Sequence, residues 1–260
     1  MVRAVIFDID NTMYDYTSGD RAGTAALCRY AARFLDCPEE RFRDLLARAK
    51  AIVCERVGSD TAAQHNRLIR MQVILELMGR PPFPHAQNLH RCYWEALLGT
   101  AKPEPGLTAA MEALKKAGLH LGVGTDMTAD IQYQKLERLG VARWIDSVTT
   151  SEEVGAEKPN ARLFGQCIRK AGVPAGECLF LGDSLIKDVR GALAAGMQAC
   201  LYAPGRGEKQ EEGAGEHEAE GSGRTGDFSV LSSFYDLPGM IIKTDRENWG
   251  PSGQGHCGVF

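Results

Sequence analysis

The chain has 260 residues, of which 44% are hydrophobic and 25% are charged, a composition that matches an average globular protein and excludes a largely disordered one. Its 30 Lys and Arg residues against 34 Asp and Glu residues give a formal net charge of -4, which argues against binding to the phosphate backbone of nucleic acids. No apolar run reaches the ~18 residues of a membrane span, and Asp8 interrupts any signal-peptide core, so we expect a cytoplasmic protein with no membrane partner.

The first part of the chain combines one predicted strand with a long helical segment. An apolar run over residues 3–7 is typical of a buried strand and ends at Asp8. Apolar residues then recur at three- and four-residue spacing, which predicts helices over residues 21–35, 39–57, 61–78 and 86–98. We interpret residues 16–102 as an all-helical cap domain inserted after the first strand.

The remainder of the chain alternates between helices and strands. Predicted helices cover residues 107–117, 129–139, 161–171 and 187–195, and predicted strands cover residues 119–124, 147–150, 178–181, 198–202 and 228–231. Such alternation is typical of a parallel sheet. The predicted fold class is therefore α/β, with a doubly wound, Rossmann-like core formed by residues 1–15 and 103–240.

Two segments differ in composition from the predicted core. Residues 205–226 lack Leu, Ile, Val and Phe, and Gly and Glu fill 13 of the 22 positions, so we predict a flexible insertion whose deletion leaves activity intact. Residues 241–260 are predicted to form a C-terminal tail. The eight cysteines are scattered without a C-x-x-C pair, which predicts reduced thiols and no structural zinc site.

Four short motifs lie where predicted strands end. Asp8 and Asp10 follow the first strand, Thr125 and Asp126 follow the segment Gly-Val-Gly, and Lys158 precedes a proline. The last motif is Gly-Asp-Ser-Leu-Ile-Lys-Asp, residues 182–188, whose two carboxylates are hard oxygen ligands suited to magnesium (Mg²⁺). Each motif alone has an ordinary structural explanation, as turn residues, a helix cap or a surface lysine. Because ligands bind at the carboxyl edge of open α/β sheets, the four together indicate one site.

This ordered set resembles the four motifs of the haloacid dehalogenase-like superfamily, in the branch with a helical cap between its first and second motifs. The resemblance implies that Asp8 is the nucleophile and that Asp10 protonates the leaving oxygen and then activates water. It further implies phosphate binding by Thr125, Asp126 and Lys158, and a Mg²⁺ site formed by Asp8, the backbone carbonyl of Asp10, Asp183 and Asp188.

The predicted function is that of a Mg²⁺-dependent phosphomonoester hydrolase acting on a small phosphorylated metabolite through an aspartyl-phosphate intermediate. A phosphomutase of the same superfamily, or a non-catalytic phosphate-binding regulatory protein, are the alternatives. Asp126 departs from the asparagine common in the family, and we expect its carboxylate to point away from the phosphate or to weaken phosphate binding.

The sequence does not identify the substrate or the oligomeric state. Several predicted cap residues are candidates for substrate contact, although a solvated helix face or packing within the cap explains each of them at least as well. These candidates are Arg56, His65, Arg67, Arg70, Tyr93 and Trp94.

Overall fold

The computed structural model describes residues 1–204 and 228–242. Six strands occur in this part of the chain: β1 (Ala4–Phe7), β2 (His120–Thr125), β3 (Ser147–Thr150), β4 (Cys178–Gly182), β5 (Gln198–Tyr202) and β6 (Phe228–Leu231). They form one sheet in the order β3-β2-β1-β4-β5-β6, and every neighbouring pair is parallel. This order places β1 at the centre and confirms the predicted doubly wound, Rossmann-like sheet.

Helices connect the strands of this sheet. Helix α5 (Leu107–Lys116) directly precedes β2, and the helices after β2 are α6 (Ala129–Arg138), α7 (Ser151–Val154), α8 (Ala161–Ala171), α9 (Gly191–Ala194) and α10 (Leu237–Ile241). The segment predicted as one helix over residues 187–195 is instead a π-helical turn, Leu185–Arg190, followed by α9. The Ser184 side chain caps this turn by accepting a hydrogen bond from the Lys187 backbone N–H.

Both faces of the sheet are buried, because successive strand residues point to opposite sides. In β1, Val5 and Phe7 belong to one hydrophobic core and Ala4 and Ile6 belong to another. The first core includes helices of the connection between β1 and β2, α5 among them, whereas the second includes α8. A fully apolar strand such as β1 is therefore a strand covered on both sides, as its sequence predicts.

Four helices precede α5 in the connection between β1 and β2: α1 (Tyr16–Phe34), α2 (Glu39–Val57), α3 (Arg67–Leu77) and α4 (His85–Thr100). We call them the insertion. The prediction of one continuous helix over residues 61–78 is wrong, because a 3₁₀ turn, Ala62–His65, ends at Asn66. The Asn66 side chain then accepts hydrogen bonds from the backbone N–H groups of the first turn of α3 and starts a new helix there.

The helices of the insertion pack closely against one another. A Cβ atom at Gly23 in α1 would lie 2.6 Å from the Tyr93 ring in α4, so glycine allows these two helices to approach. The chain enters and leaves the insertion at adjacent points, since the Glu104 backbone N–H donates to the Met13 carbonyl oxygen over 2.8 Å.

The C-terminal prediction is correct in part. Strand β6 lies where expected, but Ile241, assigned to the tail, is the last residue of α10 and is buried. The Gly- and Glu-rich segment predicted to be flexible, residues 205–226, lies outside the described residues, as does the rest of the tail from residue 243. In the described part of the chain no helix is both long enough and apolar enough to cross a membrane.

Candidate active site

The four motifs meet at the carboxyl edge of the sheet. Asp8 directly follows β1, Thr125 ends β2 and Gly182 ends β4, and β1 lies between β2 and β4. The Asp8 backbone N–H continues the ladder by donating to the Leu181 carbonyl oxygen over 2.9 Å. The strand order therefore places these groups together in a crevice of the kind where α/β proteins bind ligands.

Lys158 is the centre of a buried ion-pair cluster. Its Nζ lies 2.6 Å from Asp8 Oδ1 and 2.7 Å from Asp188 Oδ1, and all three residues are buried. The second oxygen of Asp8 has a longer contact of 3.5 Å with the Thr12 hydroxyl. One oxygen of Asp8 is thus held by the lysine, and the other is less constrained.

The electrostatics of this cluster favour a second cation. Burial raises the pKa of Asp8 above its usual range; the Lys158 ammonium opposes this shift, and the Asp188 carboxylate adds to it. Burial by itself would lower the pKa of Lys158, but Asp188 and Asp8 hold that pKa well above its usual range. The lysine is therefore charged, whereas ionised Asp8 requires more positive charge than one ammonium supplies.

Asp183 completes a set of carboxylates that fits a divalent metal ion. Oxygen atoms of Asp8, Asp183 and Asp188 all lie within 4.8 Å of one another. Partial burial, followed by repulsion from Asp188, raises the pKa of Asp183 to about 6. Three hard oxygen donors beside one ammonium are suited to Mg²⁺ in donor type and in charge. The Asp10 carboxylate is not one of these three carboxylates.

Glycine is required at position 182 so that Asp188 can reach the cluster. A Cβ atom there would lie 2.3 Å from Asp188 Oδ2, well inside van der Waals contact. The same Oδ2 accepts a hydrogen bond of 2.9 Å from the Ser184 backbone N–H. The turn after β4 therefore folds back on its own carboxylate and fixes its orientation.

Thr125 is positioned by a glutamine that the sequence analysis did not identify. Gln132, on α6, is fully buried, and its Nε2 donates to Thr125 Oγ1 over 2.6 Å and to the Asp126 carbonyl oxygen over 2.8 Å. Because the glutamine donates to Oγ1, the Thr125 hydroxyl is free to act as a donor itself, and in this structure it donates to the Asp126 carbonyl oxygen over 3.2 Å. A phosphoryl oxygen in the crevice would be an alternative acceptor for the same proton.

The Asp126 carboxylate is occupied within the protein. Its Oδ1 accepts from the Lys158 backbone N–H over 2.9 Å, and its Oδ2 lies 2.9 Å from the Lys187 ammonium. The Asp126 carboxylate is thus neutralised by the Lys187 ammonium. Its hydrogen bond from the Lys158 backbone N–H fixes the segment that carries Lys158. We expected this carboxylate either to point away from the phosphate or to weaken phosphate binding. In the structure both of its oxygens contact groups of the protein.

Asp10 is held by a lysine that was also missed. Lys135 Nζ, which is completely buried on α6, lies 2.7 and 2.8 Å from the two Asp10 oxygens. The Tyr14 hydroxyl donates to Asp10 Oδ1 over 2.8 Å. Burial, and then the Asp10 charge, raise the pKa of Tyr14 far above its usual range, so this hydroxyl keeps its proton.

A periodicity signal exists for both missed residues. The buried positions of α6 are Ile131, Gln132, Lys135 and Leu136, which form one stripe along the helix. A glutamine and a lysine within an apolar stripe are buried polar groups, and such groups need partners. The pattern therefore indicates that Gln132 and Lys135 have polar partners, but it does not identify those partners.

The crevice contains a small, partly open cavity. Its volume is about 260 Å³, and it is lined by residues of the four motifs together with Tyr16 and His65. His65 Nε2 lies 2.8 Å from Glu157 Oε1, next to Lys158 in the chain. Of the other candidates in the insertion, Arg56 forms an exposed ion pair with Glu76, while the following residues are wholly or mostly buried: Arg67, Arg70, Tyr93 and Trp94.

Comparison with known proteins identifies the family. The family model for haloacid dehalogenase-like hydrolases matches residues 2–196. The chain belongs to this family. A ribulose-1,5-bisphosphate 5-phosphatase from Halopiger xanaduensis is 34% identical over 241 residues, which cover 91% of this chain and 99% of the relative. A glyceraldehyde 3-phosphate phosphatase from Methanopyrus kandleri is 31% identical over 202 residues, which cover 76% of this chain and 82% of the relative.

A solved structure of the family has the same fold. The 2-haloacid dehalogenase from Pseudomonas syringae pv. Tomato DC3000 superposes with a TM-score of 0.74 at 23% identity, covering 93% of this chain and 98% of that one. Together with the phosphatase relatives, the family match makes this haloacid dehalogenase-like protein a phosphatase, an enzyme that hydrolyses phosphate ester bonds.

Proposed function

We propose that this phosphatase is a Mg²⁺-dependent phosphomonoester hydrolase that acts on a small phosphorylated metabolite through an aspartyl-phosphate on Asp8. The observation that carries the proposal is the buried cluster in which Lys158 lies 2.6 Å from Asp8 and in which Asp183 and Asp188 add two further carboxylates. The names of the two relatives, which refer to sugar phosphates, support a substrate of that general kind.

In the first step, a carboxylate oxygen of Asp8 attacks phosphorus and the bond between phosphorus and the ester oxygen breaks. The electron pair of that bond goes to the leaving oxygen, which takes a proton from the Asp10 carboxyl group. The Lys158 ammonium and the Thr125 hydroxyl hold the phosphoryl oxygens during the transfer. Asp10 lies two residues beyond Asp8, so that the two carboxyl groups serve the entering and the leaving side.

In the second step, water attacks the phosphorus of the aspartyl-phosphate and gives its proton to Asp10. The bond between phosphorus and the Asp8 oxygen breaks, and inorganic phosphate and the Asp8 carboxylate are restored. One acid thus serves both steps, as proton donor and then as proton acceptor. Lys135 holds Asp10 between these roles through two contacts below 3 Å.

Asp8, Asp183, Asp188 and the backbone carbonyl of Asp10 would hold Mg²⁺. When bound, the ion supplies the positive charge that lets a phosphate dianion approach a carboxylate. The three side chains are present with the donor type and charge that such an ion requires.

The test is hydrolysis of 4-nitrophenyl phosphate by the full chain with Mg²⁺ and after removal of metal with EDTA. Asp8→Asn should lower kcat by at least about a thousandfold, as for loss of a nucleophile. Asp44→Asn, which changes an exposed carboxylate of the insertion, is the matched control and should retain full activity. Metal-independent turnover, or equal turnover by Asp8→Asn, would contradict the proposal.

Two readouts follow parts of the proposal separately. Borohydride reduction of enzyme quenched during turnover converts an acyl phosphate to an alcohol, so mass spectrometry should find homoserine at position 8. Saturating Mg²⁺ should raise the Tm by several degrees, since binding at about 100 times Kd stabilises a protein by about 2.7 kcal/mol. Asp183→Asn should lose most of that shift, whatever its activity.

A further inference from the structure

A second cavity lies inside the insertion, next to the active site. Its volume is about 470 Å³, and α1, α2, α3 and α4 all contribute to its lining. Tyr16 and His65 line both this cavity and the one over Asp8, so the two adjoin at these side chains. We call it the insertion cavity.

The insertion cavity is strongly cationic. Among the described residues, four cationic side chains line it, those of Arg43, Lys50, Arg67 and Arg70, against one carboxylate, that of Asp20. Arg43 is paired with Glu39 over 2.8 Å, which leaves Lys50, Arg67 and Arg70 as the cations that this pairing does not compensate. Like charges placed together in a partly desolvated space destabilise the empty cavity. An anion is the occupant that would offset them.

The one carboxylate is already shared among several donors. Asp20 accepts from the Tyr93 hydroxyl, has a contact of 3.4 Å with the Tyr16 hydroxyl, and lies 3.9 Å from Arg67 Nη2. Arg67, only 6% exposed, also donates to the Tyr16 hydroxyl over 2.7 Å. Asp20 is therefore an ion-pair partner of Arg67, whereas its charge opposes the lowering of the Arg70 pKa without offsetting it.

Arg70 has few polar contacts. Within the described residues it forms no ion pair, and its one hydrogen bond is a long contact of 3.4 Å from Nη2 to the Gln64 carbonyl oxygen. The Nε atoms of Arg67 and Arg70 are buried without a partner. Burial and then the neighbouring Arg67 lower the pKa of Arg70 to about 10, which still leaves the guanidinium charged at neutral pH. Buried guanidinium donors without acceptors are typical of a site that binds an anionic ligand.

We propose that the insertion cavity binds a second anionic group of the substrate, a phosphate or a carboxylate at the end away from the scissile ester, with Arg70 as its principal ligand. This inference rests on the proposed function, because it assigns the substrate class of the same active site. Arg67 presents the second guanidinium, and Lys50, which forms no ion pair in the described part of the chain, adds charge at the rim. The preferred substrates are small molecules with a negative charge at each end.

The test uses three compound series that differ only at the far end: alkanediol monophosphates of three to five carbons, the corresponding bisphosphates, and the corresponding phosphorylated hydroxy acids. The wild-type kcat/KM should be at least about tenfold higher for one doubly charged series than for the monophosphates, since a hydrogen bond between charged groups contributes about 1.5–3 kcal/mol. The bisphosphate and carboxylate arms show which anion is preferred.

Arg70→Met should remove that preference while leaving hydrolysis of 4-nitrophenyl phosphate within about threefold of wild type. Arg48→Met, which changes an exposed arginine of α2 outside the cavity, should alter neither. Lys50→Met is a second variant at an exposed position, should Arg70→Met fail to fold, and should weaken the preference in the same direction.

The possible failures can be told apart. Absence of Mg²⁺-dependent hydrolysis of 4-nitrophenyl phosphate by wild type overturns the proposed function. In that case, calorimetric titration of wild type with 1,3-propanediol bisphosphate and with its monophosphate decides the inference, which requires tighter binding of the former. Normal hydrolysis of 4-nitrophenyl phosphate with no preference for a second charge, or an equal loss on all substrates in Arg70→Met, overturns the inference alone.

Discussion

The Asp10–Lys135 pair lends itself to a double-mutant cycle. Asp10→Asn leaves the completely buried Lys135 ammonium without a carboxylate. Removing one partner of a buried ion pair costs about 3–5 kcal/mol of unfolding free energy. Asparagine keeps one oxygen acceptor, and the rings of Tyr16 and Trp94 lie 5.2 and 5.7 Å from the ammonium, so we expect a loss near the lower end, about 3 kcal/mol.

The reverse change should cost less. Lys135→Met leaves the Asp10 carboxylate, whose side chain is 21% exposed and still accepts from the Tyr14 hydroxyl, and the loss should be about 1–2 kcal/mol. The double variant, Asp10→Asn with Lys135→Met, removes the unpaired ammonium and should be more stable than Asp10→Asn alone. The coupling free energy should be about 1.5–3 kcal/mol.

Urea unfolding of the four proteins at pH 7 without substrate measures these values, provided the slope against urea is unchanged. The pair Lys115 and Asp146, whose contact is also 2.8 Å but whose side chains are 33% and 35% exposed, is the matched control. Its coupling should stay below about 1 kcal/mol, as for other accessible ion pairs. Equal coupling in both pairs, or a double variant less stable than Asp10→Asn, would refute the assignment of Lys135 as the buried partner of Asp10.

Activity separates positioning from simple structural support. If Lys135 orients Asp10 for proton transfer, Lys135→Met should reduce kcat about tenfold to a hundredfold for alkyl phosphates, whose leaving oxygen needs a proton. For 4-nitrophenyl phosphate, whose leaving group is stable as an anion, the reduction should be much smaller. A loss of equal size on both substrates would indicate damage to the fold and not to proton transfer.

Three further substitutions test single contacts in the site. Asp126→Asn should keep kcat/KM within about threefold, because an amide oxygen can still accept from the backbone; a loss as large as that of the nucleophile would contradict this reading. Gly182→Ala should lower activity more than a hundredfold, since the added Cβ would displace Asp188. Normal Mg²⁺ binding by this variant in calorimetry would contradict the displacement of Asp188. Gln132→Leu should raise KM and the inhibition constant of inorganic phosphate about tenfold through the Thr125 hydroxyl, and an unchanged constant would contradict that role.

The sheet and the meeting of the motifs could be predicted because both follow from local patterns. Apolar runs marked the strands, and three of the four motifs lay at the end of such a run, so a parallel sheet brought Asp8, Thr125 and Asp183 to one edge. The break at Asn66 was missed because the apolar spacing continues across it, while its side chain stops one helix and caps the next. Periodicity records which face is buried, not where backbone hydrogen bonds end.

The contacts around the motifs could not be predicted, because they depend on residues far apart in the chain. Lys135 and Asp10 are separated by 125 positions, and Arg67 and Tyr16 by 51. A single sequence shows that a charge lies on an apolar helix face, but the identity of its partner follows only from the packing of helices on the sheet. The cationic lining of the insertion cavity is a property of four helices together and has no local signature.

The hydrogen bond between Glu104 and Met13 has a consequence for how the chain folds. Central strand β1 pairs with β2 and β4, so even its nearer partner in the chain, β2, lies beyond the whole insertion. If the insertion folds early, this bond brings its two ends together and shortens the effective loop from roughly 110 to roughly 20 residues, which lowers the entropic cost of closure by about 1.5 kcal/mol. Pulse-labelling hydrogen exchange during refolding should then protect the amides of α1 and α4 before those of β1, and simultaneous protection would exclude this order. A segment that contributes to the lining of the active-site cavity in the folded enzyme would thus also bring the central strand within reach of its partner.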